Sequence, residues 1–104
     1  MRVLLLCLLL SVPAFAARPV FDLYIKDKMF EPARLVIPAN TKVRIMVHNQ
    51  DDSPEEFESY DLNREKVIPA NSKSAIFVGP LAPGEYPFFG EFSLETAQGI
   101  LVAE

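Results

Sequence analysis

The alternation of apolar and polar residues, broken by proline at short intervals, constrains the fold of this chain more than any other feature. In residues 19–26 the apolar Leu23 and Ile25 are separated by Tyr24, and residues 42–49 alternate in the same way. Successive side chains of a strand point to opposite faces, so the pattern predicts strands with one buried face. Nine prolines oppose long helices.

Other segments of the chain also have the composition that is typical of strands. Residues 94–98 alone favour a helical turn. A strand ends at Asn49, an acidic loop follows, and a strand restarts at Phe57. We expect the Asn49 side-chain amide to tie this loop to a neighbouring segment. Three more segments are rich in apolar and aromatic residues and bounded by turn residues, namely 73–78, 85–89 and 99–103. These signals together predict an all-β fold, a Greek-key β-sandwich of about seven strands.

A short stretch of sequence occurs twice. VIPANTKVRIMV at 36–47 and VIPANSKSAIFV at 67–78 align without a gap. Proline pre-sets a turn and asparagine tolerates a left-handed backbone, so each copy predicts a strand end, a turn and a new strand. Convergence on a favourable turn and an ancient duplication both explain the repeat. In either case two corners of the sandwich are expected to share one turn chemistry.

The first 16 residues have the three parts of a secretory signal peptide. Arg2 is the positive start, residues 3–10 are an apolar run, and Ala14-Phe15-Ala16 is a small-residue cleavage site. The run is too short to span a membrane. We therefore expect cleavage after Ala16 and a mature domain of residues 17–104 that is not inserted in the membrane.

The single cysteine of the chain, Cys7, lies in that predicted signal. A lipoprotein anchored through Cys7 is the alternative, although Leu5 and Leu6 stand where small residues should precede a lipidated cysteine. Cleavage removes Arg2 as well, so 10 − 1 = 9 basic residues face 14 acidic ones. An acidic domain without cysteine excludes a thiolate metal site and argues against nucleic-acid binding.

Carboxylates concentrate in two segments that we expect to face each other. Because alternate residues share a strand face, Glu56 and Glu58 lie together and Glu55 points to the other side with Phe57. Carboxylates are hard ligands that suit Fe(III), Mn(II), Ca(II) or Mg(II). A solvated acidic rim is the alternative interpretation. The residues concerned are Asp51, Asp52, Glu55, Glu56, Glu58, Glu91 and Glu95.

Two long segments carry a resemblance to a known family. FEPARLVIPANTKVRIMVHNQDDSPEEFES and GEYPFFGEFSLETAQGILV resemble a small cupredoxin-like domain. In cupredoxins a histidine, a cysteine, a second histidine and a methionine hold copper, and those ligand positions fall here, in that order, at Glu55, Gly90, Ser93 and Ala97. Blue-copper chemistry needs soft thiolate and imidazole donors, and glycine and alanine offer none. The resemblance therefore implies the fold without a type 1 copper centre.

Within that family the chain is similar to a narrower group. SPEEFESYDLNREKVIPANSK and GEYPFFGEFSLETAQG resemble the small periplasmic cupredoxin-like components of bacterial iron-uptake systems. This resemblance implies a periplasmic protein that handles iron or copper ions. It also implies two partners, an iron permease and a periplasmic iron- or copper-binding protein. A ferroxidase role, oxidation of Fe(II) before import, belongs to the same expectation.

Three functional hypotheses remain open at this point. The first is iron binding, with copper as a second ion, through Glu55, Glu56, Glu58, Glu91, Glu95 and His48. The second is a metal-free module that docks on a permease or a periplasmic partner through its acidic end. The third is a copper chaperone that uses His48, Met46 and Met29 as ligands. The sequence contains no complete redox-metal site, so it leaves enzymatic activity open.

Overall fold

A computed structural model describes residues 18–104; the predicted signal peptide and the Cys7 anchor fall outside the described residues. Within 18–104 the chain forms nine strands and no helix, so no helix there is long and apolar enough to cross a bilayer. The strands are β1 (Val20–Lys26), β2 (Met29–Glu31), β3 (Arg34–Ile37), β4 (Val43–Asn49), β5 (Glu55–Ser59), β6 (Arg64–Ile68), β7 (Ser72–Val78), β8 (Gly84–Gly90) and β9 (Gln98–Ala103).

The strands form two sheets, and their order confirms the predicted sandwich. One sheet has four strands in the order β2-β1-β4-β7, and the other has five in the order β3-β9-β8-β5-β6. The β1–β4 and β3–β9 pairs are parallel, while all other pairs are antiparallel. The chain passes between the sheets at β2–β3, β3–β4, β4–β5, β6–β7 and β7–β8, which is the behaviour of a Greek key.

Residues 18–104 form nine strands where the sequence predicts about seven. The strands β2 and β3 have only three and four residues, with Pro32 between them, which is too short for a period of two to emerge. The strand β6 lies at a sheet edge and exposes its first four residues, so it shows no alternation of apolar and polar positions.

The core lies between the sheets and is filled by the inward-facing residues of both. At its centre the rings of Phe30, Phe57 and Phe88 pack together, with Phe88 4.9 Å from Phe30 and 5.0 Å from Phe57. Offset and edge-to-face contacts of this kind add to the stabilisation from burial. The other largest buried side chains are Leu23, Ile25, Ile37, Ile45, Ile68, Leu101, Val43, Val47 and Val78.

The repeated sequence forms two matching corners, as predicted. Asn40 and Asn71 occupy equivalent positions and have left-handed backbones, with φ of 57° and 52°. The hydroxyl of the next residue donates to the carbonyl two positions back in both copies, from Thr41 to Ala39 and from Ser72 to Ala70. Each corner carries the chain from the five-stranded sheet to the four-stranded sheet.

Candidate functional site

The four positions that correspond to copper ligands meet at one end of the sandwich, but their chemistry does not suit copper. Glu55 and Ala97 are buried, at 2% and 0% exposure, and Gly90 is buried beside them. A Cβ atom built on Gly90 would lie 2.7 Å from the Ala97 Cβ and 2.7 Å from the Glu55 Cδ. Gly90 and Ala97 carry no donor atom, and Ser93 offers only a hydroxyl. These residues do not fit a type 1 copper centre.

A group of carboxylates lies on the outer face of the five-stranded sheet. Glu56 and Glu58 point outward from β5, and Glu58 pairs directly with Glu65 of β6. One carboxylate oxygen from each of these three residues lies within 4.8 Å of the others. Glu91 is near as well, because its amide donates to the Glu56 carbonyl at 2.9 Å. We call Glu56, Glu58, Glu65 and Glu91 the carboxylate face.

The electrostatics of the carboxylate face oppose full ionisation. Partial removal from water raises the pKa of Glu56, and the Glu65 carboxyl raises it further through a hydrogen bond and like charge. Partial removal from water also raises the pKa of Glu58, with further contributions from Glu65 and Glu91. Like charges close together disfavour the ionised form, and a bound cation removes that repulsion. The face is therefore suited to exchange protons for a hard cation.

Glu65 is the member of the carboxylate face that sequence reasoning missed. The period-two pattern placed Glu56 and Glu58 on one face, but it gave no strand for residues 64–68. The signal lay in the short Tyr60–Asn63 connection, which folds β6 back onto β5 as a hairpin. Counting across that hairpin sets Glu65 opposite Glu58.

Glu55 and Glu95, both predicted ligands, lie outside the carboxylate face. Glu55 points into the protein, where its Oε1 accepts hydrogen bonds from the backbone amides of Phe92 and Glu56 at 2.9 and 3.0 Å. Glu95 is exposed in the turn before β9, and the group of three carboxylates does not include it. The two segments do face each other, but they contribute Glu56, Glu58 and Glu91 rather than all five glutamates.

The Asp51 carboxylate in the acidic loop after β4 accepts structural hydrogen bonds from the backbone. Asp51 accepts from the backbone amides of Asp27 and Lys28 at 2.7 and 2.9 Å, and so fastens the β1–β2 turn. Both turn residues have positive φ, at 53° and 59°. A carboxylate that satisfies two amides is already engaged as an acceptor, so Asp51 is a structural residue.

Asn49 ties this loop to the neighbouring corner, as its position at the strand end predicts. It is buried at 2% exposure, and its Nδ2 lies 2.9 Å from the Ser53 carbonyl and 3.0 Å from the Ile68 carbonyl. Its Oδ1 accepts from the Asp51 amide at 3.0 Å. One side chain therefore holds the start of the loop, the end of the loop and the end of β6.

His48, the sixth predicted ligand, lies on the opposite side of the sandwich. It points outward from the four-stranded sheet, with its ring stacked on Tyr24 at 4.5 Å between centroids. Its Nε2 is 2.8 Å from Asp22 Oδ1. Met46 shares this outer face, and Met29 lies on the edge strand β2, separated from β4 by β1. His48 is therefore not a partner of the carboxylate face.

Exposed apolar side chains border the carboxylate face. The Tyr60 ring, 76% exposed, packs edge-on against Phe89 at 5.4 Å between centroids. Phe89 pairs with Glu58, and Val67, 47% exposed, pairs with Glu56. The same surface thus carries negative charge and apolar area side by side.

One curated relative aligns over most of the chain. It is the uncharacterized protein RP394 of Rickettsia prowazekii (strain Madrid E), 46% identical over 78 residues. The alignment covers 75% of this chain and 62% of the relative, so the chain spans less than two thirds of that protein's length.

Solved structures share the fold at low sequence identity. Auracyanin A, a "blue" copper protein from Chloroflexus aurantiacus, superposes with a TM-score of 0.72 at 13% identity, covering 85% of this chain and all of that one. Amicyanin from Paracoccus versutus gives a TM-score of 0.63 at 15% identity, covering 90% of this chain and 86% of that one. The sequence profile of the family described as "Cupredoxin-like domain" matches residues 1–103. The chain belongs to the cupredoxin-like domain family.

Proposed function

We propose that this protein is a periplasmic component of bacterial iron uptake that binds iron at the carboxylate face. The observation that carries the proposal is the approach of Glu56, Glu58 and Glu65 oxygens to within 4.8 Å on one strand hairpin. Three carboxylates at this spacing match the oxygen ligands that hard ions prefer. The raised pKa values of Glu56 and Glu58, which arise first from partial removal from water and then from neighbouring carboxylates, support it, because a bound cation stabilises the ionised form that both effects disfavour.

The half-exposed position of the carboxylate face suits transfer rather than storage. A metal ion bound there keeps water ligands and is open to a second protein from one side. Iron captured in this way is accessible to a permease or to a periplasmic iron- or copper-binding protein, the two partners that the sequence resemblance implies. Copper is the second ion in this proposal, and carboxylates bind it with less selectivity than thiolate or imidazole sites.

Calorimetric titration of residues 17–104 with Fe(II) under anaerobic conditions, then with Mn(II) and Cu(II), tests the binding step. The variant E56Q/E58Q removes two charged ligands and is expected to weaken Fe(II) and Mn(II) binding by at least about tenfold, which corresponds to about 1.4 kcal/mol. E85Q/E95Q is the matched control, because it removes the same charge from exposed positions outside the face. Equal weakening in both variants would show only diffuse attraction by an acidic surface.

Oxygen consumption separates binding from oxidation. If Fe(II) is oxidised at the carboxylate face, oxygen uptake follows Fe(II) addition and falls in E56Q/E58Q but not in E85Q/E95Q. Binding without oxygen uptake leaves the protein as an iron carrier and removes the ferroxidase role from the proposal.

A metal-free docking module is the second candidate function, and the apolar border of the carboxylate face favours it. Tyr60, Phe89 and Val67 offer apolar area beside the acids, the composition of a protein contact with a basic, partly apolar partner. Absence of Fe(II), Mn(II) and Cu(II) binding in the titration would select this candidate. Copper binding lost in H48A but kept in E56Q/E58Q would select the copper chaperone instead.

A further inference from the structure

Three of the four family ligand positions are joined to one another through the backbone. The Gly90 amide donates to the Ala97 carbonyl at 2.8 Å, the Ser93 amide to the Gly90 carbonyl at 3.1 Å, and the Ala97 amide to the Ser93 carbonyl at 2.8 Å. These bonds close residues 90–97 into a turn. Their side chains offer at most the Ser93 hydroxyl as a metal ligand, so contacts other than metal bonds must fix this turn against β5.

The Glu55 carboxylate is the group that reaches into this turn. Its Oε1 accepts from the Phe92 amide inside the turn and from the Glu56 amide on its own strand. The place that a side chain on residue 90 would take is already filled, since a Cβ there would lie 2.7 Å from Glu55 Cδ and 2.9 Å from Oε2. The carboxyl group thus occupies the volume that a ligand side chain at position 90 would need.

We infer that the Glu55 carboxylate replaces the metal ion of the family as the fastener between β5 and the turn of residues 90–97. An ionised carboxylate makes stronger hydrogen bonds to backbone amides than a neutral acceptor does. Gly90 is required because it alone leaves room for that carboxylate. The turn is therefore ordered without any ion, and the former ligand site is closed rather than vacant.

This fastener lies behind the carboxylate face and acts separately from it. Glu55 faces the core, whereas Glu56 and Glu58 face solvent. The Glu55 bond to Phe92 and the Glu56 carbonyl bond to the Glu91 amide hold two consecutive residues of the turn. The inference concerns the metal-free protein, so it stands or falls independently of iron binding.

Amide hydrogen exchange of the metal-free protein, measured by NMR, tests the inference. E55M keeps the volume but removes the carboxylate, and the Phe92 amide is expected to exchange on the order of tenfold to a hundredfold faster. E55Q is the matched control, since its amide oxygen still accepts, and it is expected to show a smaller increase. Unchanged Phe92 exchange in E55M, with the Leu101 amide unchanged as reference, would overturn the inference.

A double-mutant cycle tests the claim that the Glu55 carboxyl fills the space beside Gly90, and it does not depend on hydrogen-exchange rates. G90A is expected to lower the Tm in the wild-type background, because the new methyl group meets the carboxyl. In the E55A background the same change should lower the Tm by clearly less, since only the contact with Ala97 remains. Equal losses in the two backgrounds would show that Gly90 does not accommodate Glu55, and would overturn the claim that the carboxylate fills the site.

Discussion

Replacement of Asn49 by alanine should destabilise this protein more than any change to an exposed residue of the same loop. The change removes the contacts of Nδ2 with the carbonyls of Ser53 and Ile68, at 2.9 and 3.0 Å. It also removes the 3.0 Å bond from the Asp51 amide to Oδ1. The side chain is only 2% exposed, so water does not easily replace the lost partner.

The magnitude follows from the three bonds. A typical hydrogen bond contributes about 1 kcal/mol net, so the expected loss in the free energy of unfolding is about 3 kcal/mol. In a domain of this size 1 kcal/mol corresponds to roughly 4–8 °C in Tm, so the Tm should fall by about 12 °C or more. Urea denaturation followed by circular dichroism measures the loss directly, and the m-value should stay unchanged.

The neighbouring Gln50 provides the control for this prediction. It is exposed, and Q50A should change the free energy of unfolding by no more than about 0.5 kcal/mol. If N49A cost less than about 1 kcal/mol, the three bonds would not hold the loop as described. The account of how the chain fixes this end of the sandwich would then be wrong.

Three further predictions concern the face, the core and the corners. The folded-state pKa values of Glu56 and Glu58 lie above 4.5 because both carboxyls are partly removed from water and lie near other carboxylates, so their ionisation costs stability as pH rises through those values. E58Q should therefore raise the Tm at pH 7 and lose that gain below about pH 4 in a pH series of melts. F57A should cost about 3–5 kcal/mol in urea denaturation, since Phe57 is fully buried between two other rings; a cost below about 2 kcal/mol would mean that the core is not packed there. N40A and N71A should each cost on the order of 1 kcal/mol by the same assay, because both replace a left-handed asparagine, and clearly unequal costs would contradict the equivalence of the corners.

The sequence predicted the features that depend on local pattern. Alternation over residues 42–49 gave β4 within one residue, and the repeated VIPAN stretches gave two matching corners. The position of Asn49 at a strand end predicted that its side-chain amide contacts a neighbouring segment, which it does at the Ile68 carbonyl. Each of these follows from the period of a strand or from the conformational preference of one residue type.

The composition of the candidate site depended on register and sheet order, which local pattern does not contain. Alternation predicts which residues of a strand share a face. It does not predict which of the two sheets the strand belongs to. His48 is therefore grouped with the glutamates in the sequence-based prediction because it is close to the acidic loop in sequence. In the structure β4 belongs to the four-stranded sheet, so His48 lies on the other side of the sandwich. Glu65 was missed because only the β5–β6 pairing places it opposite Glu58.

Glu55 illustrates a different limit. Alternation correctly turns it away from Glu56 and Glu58, yet the sequence places it among the carboxylates of the two facing segments. Its role follows from the amide of Phe92, which is 37 residues away in sequence and is brought close by the β5–β8 pairing. No spacing rule links those two residues.

The most direct test of the account is the anomalous difference density of a crystal of residues 17–104 soaked in Mn(II), measured at the manganese edge. The account predicts one peak on the outer face of the five-stranded sheet, bounded by Glu56, Glu58 and Glu65, and no peak between Glu55 and Ala97. A peak between Glu55, Gly90 and Ala97, or beside His48 alone, would contradict it.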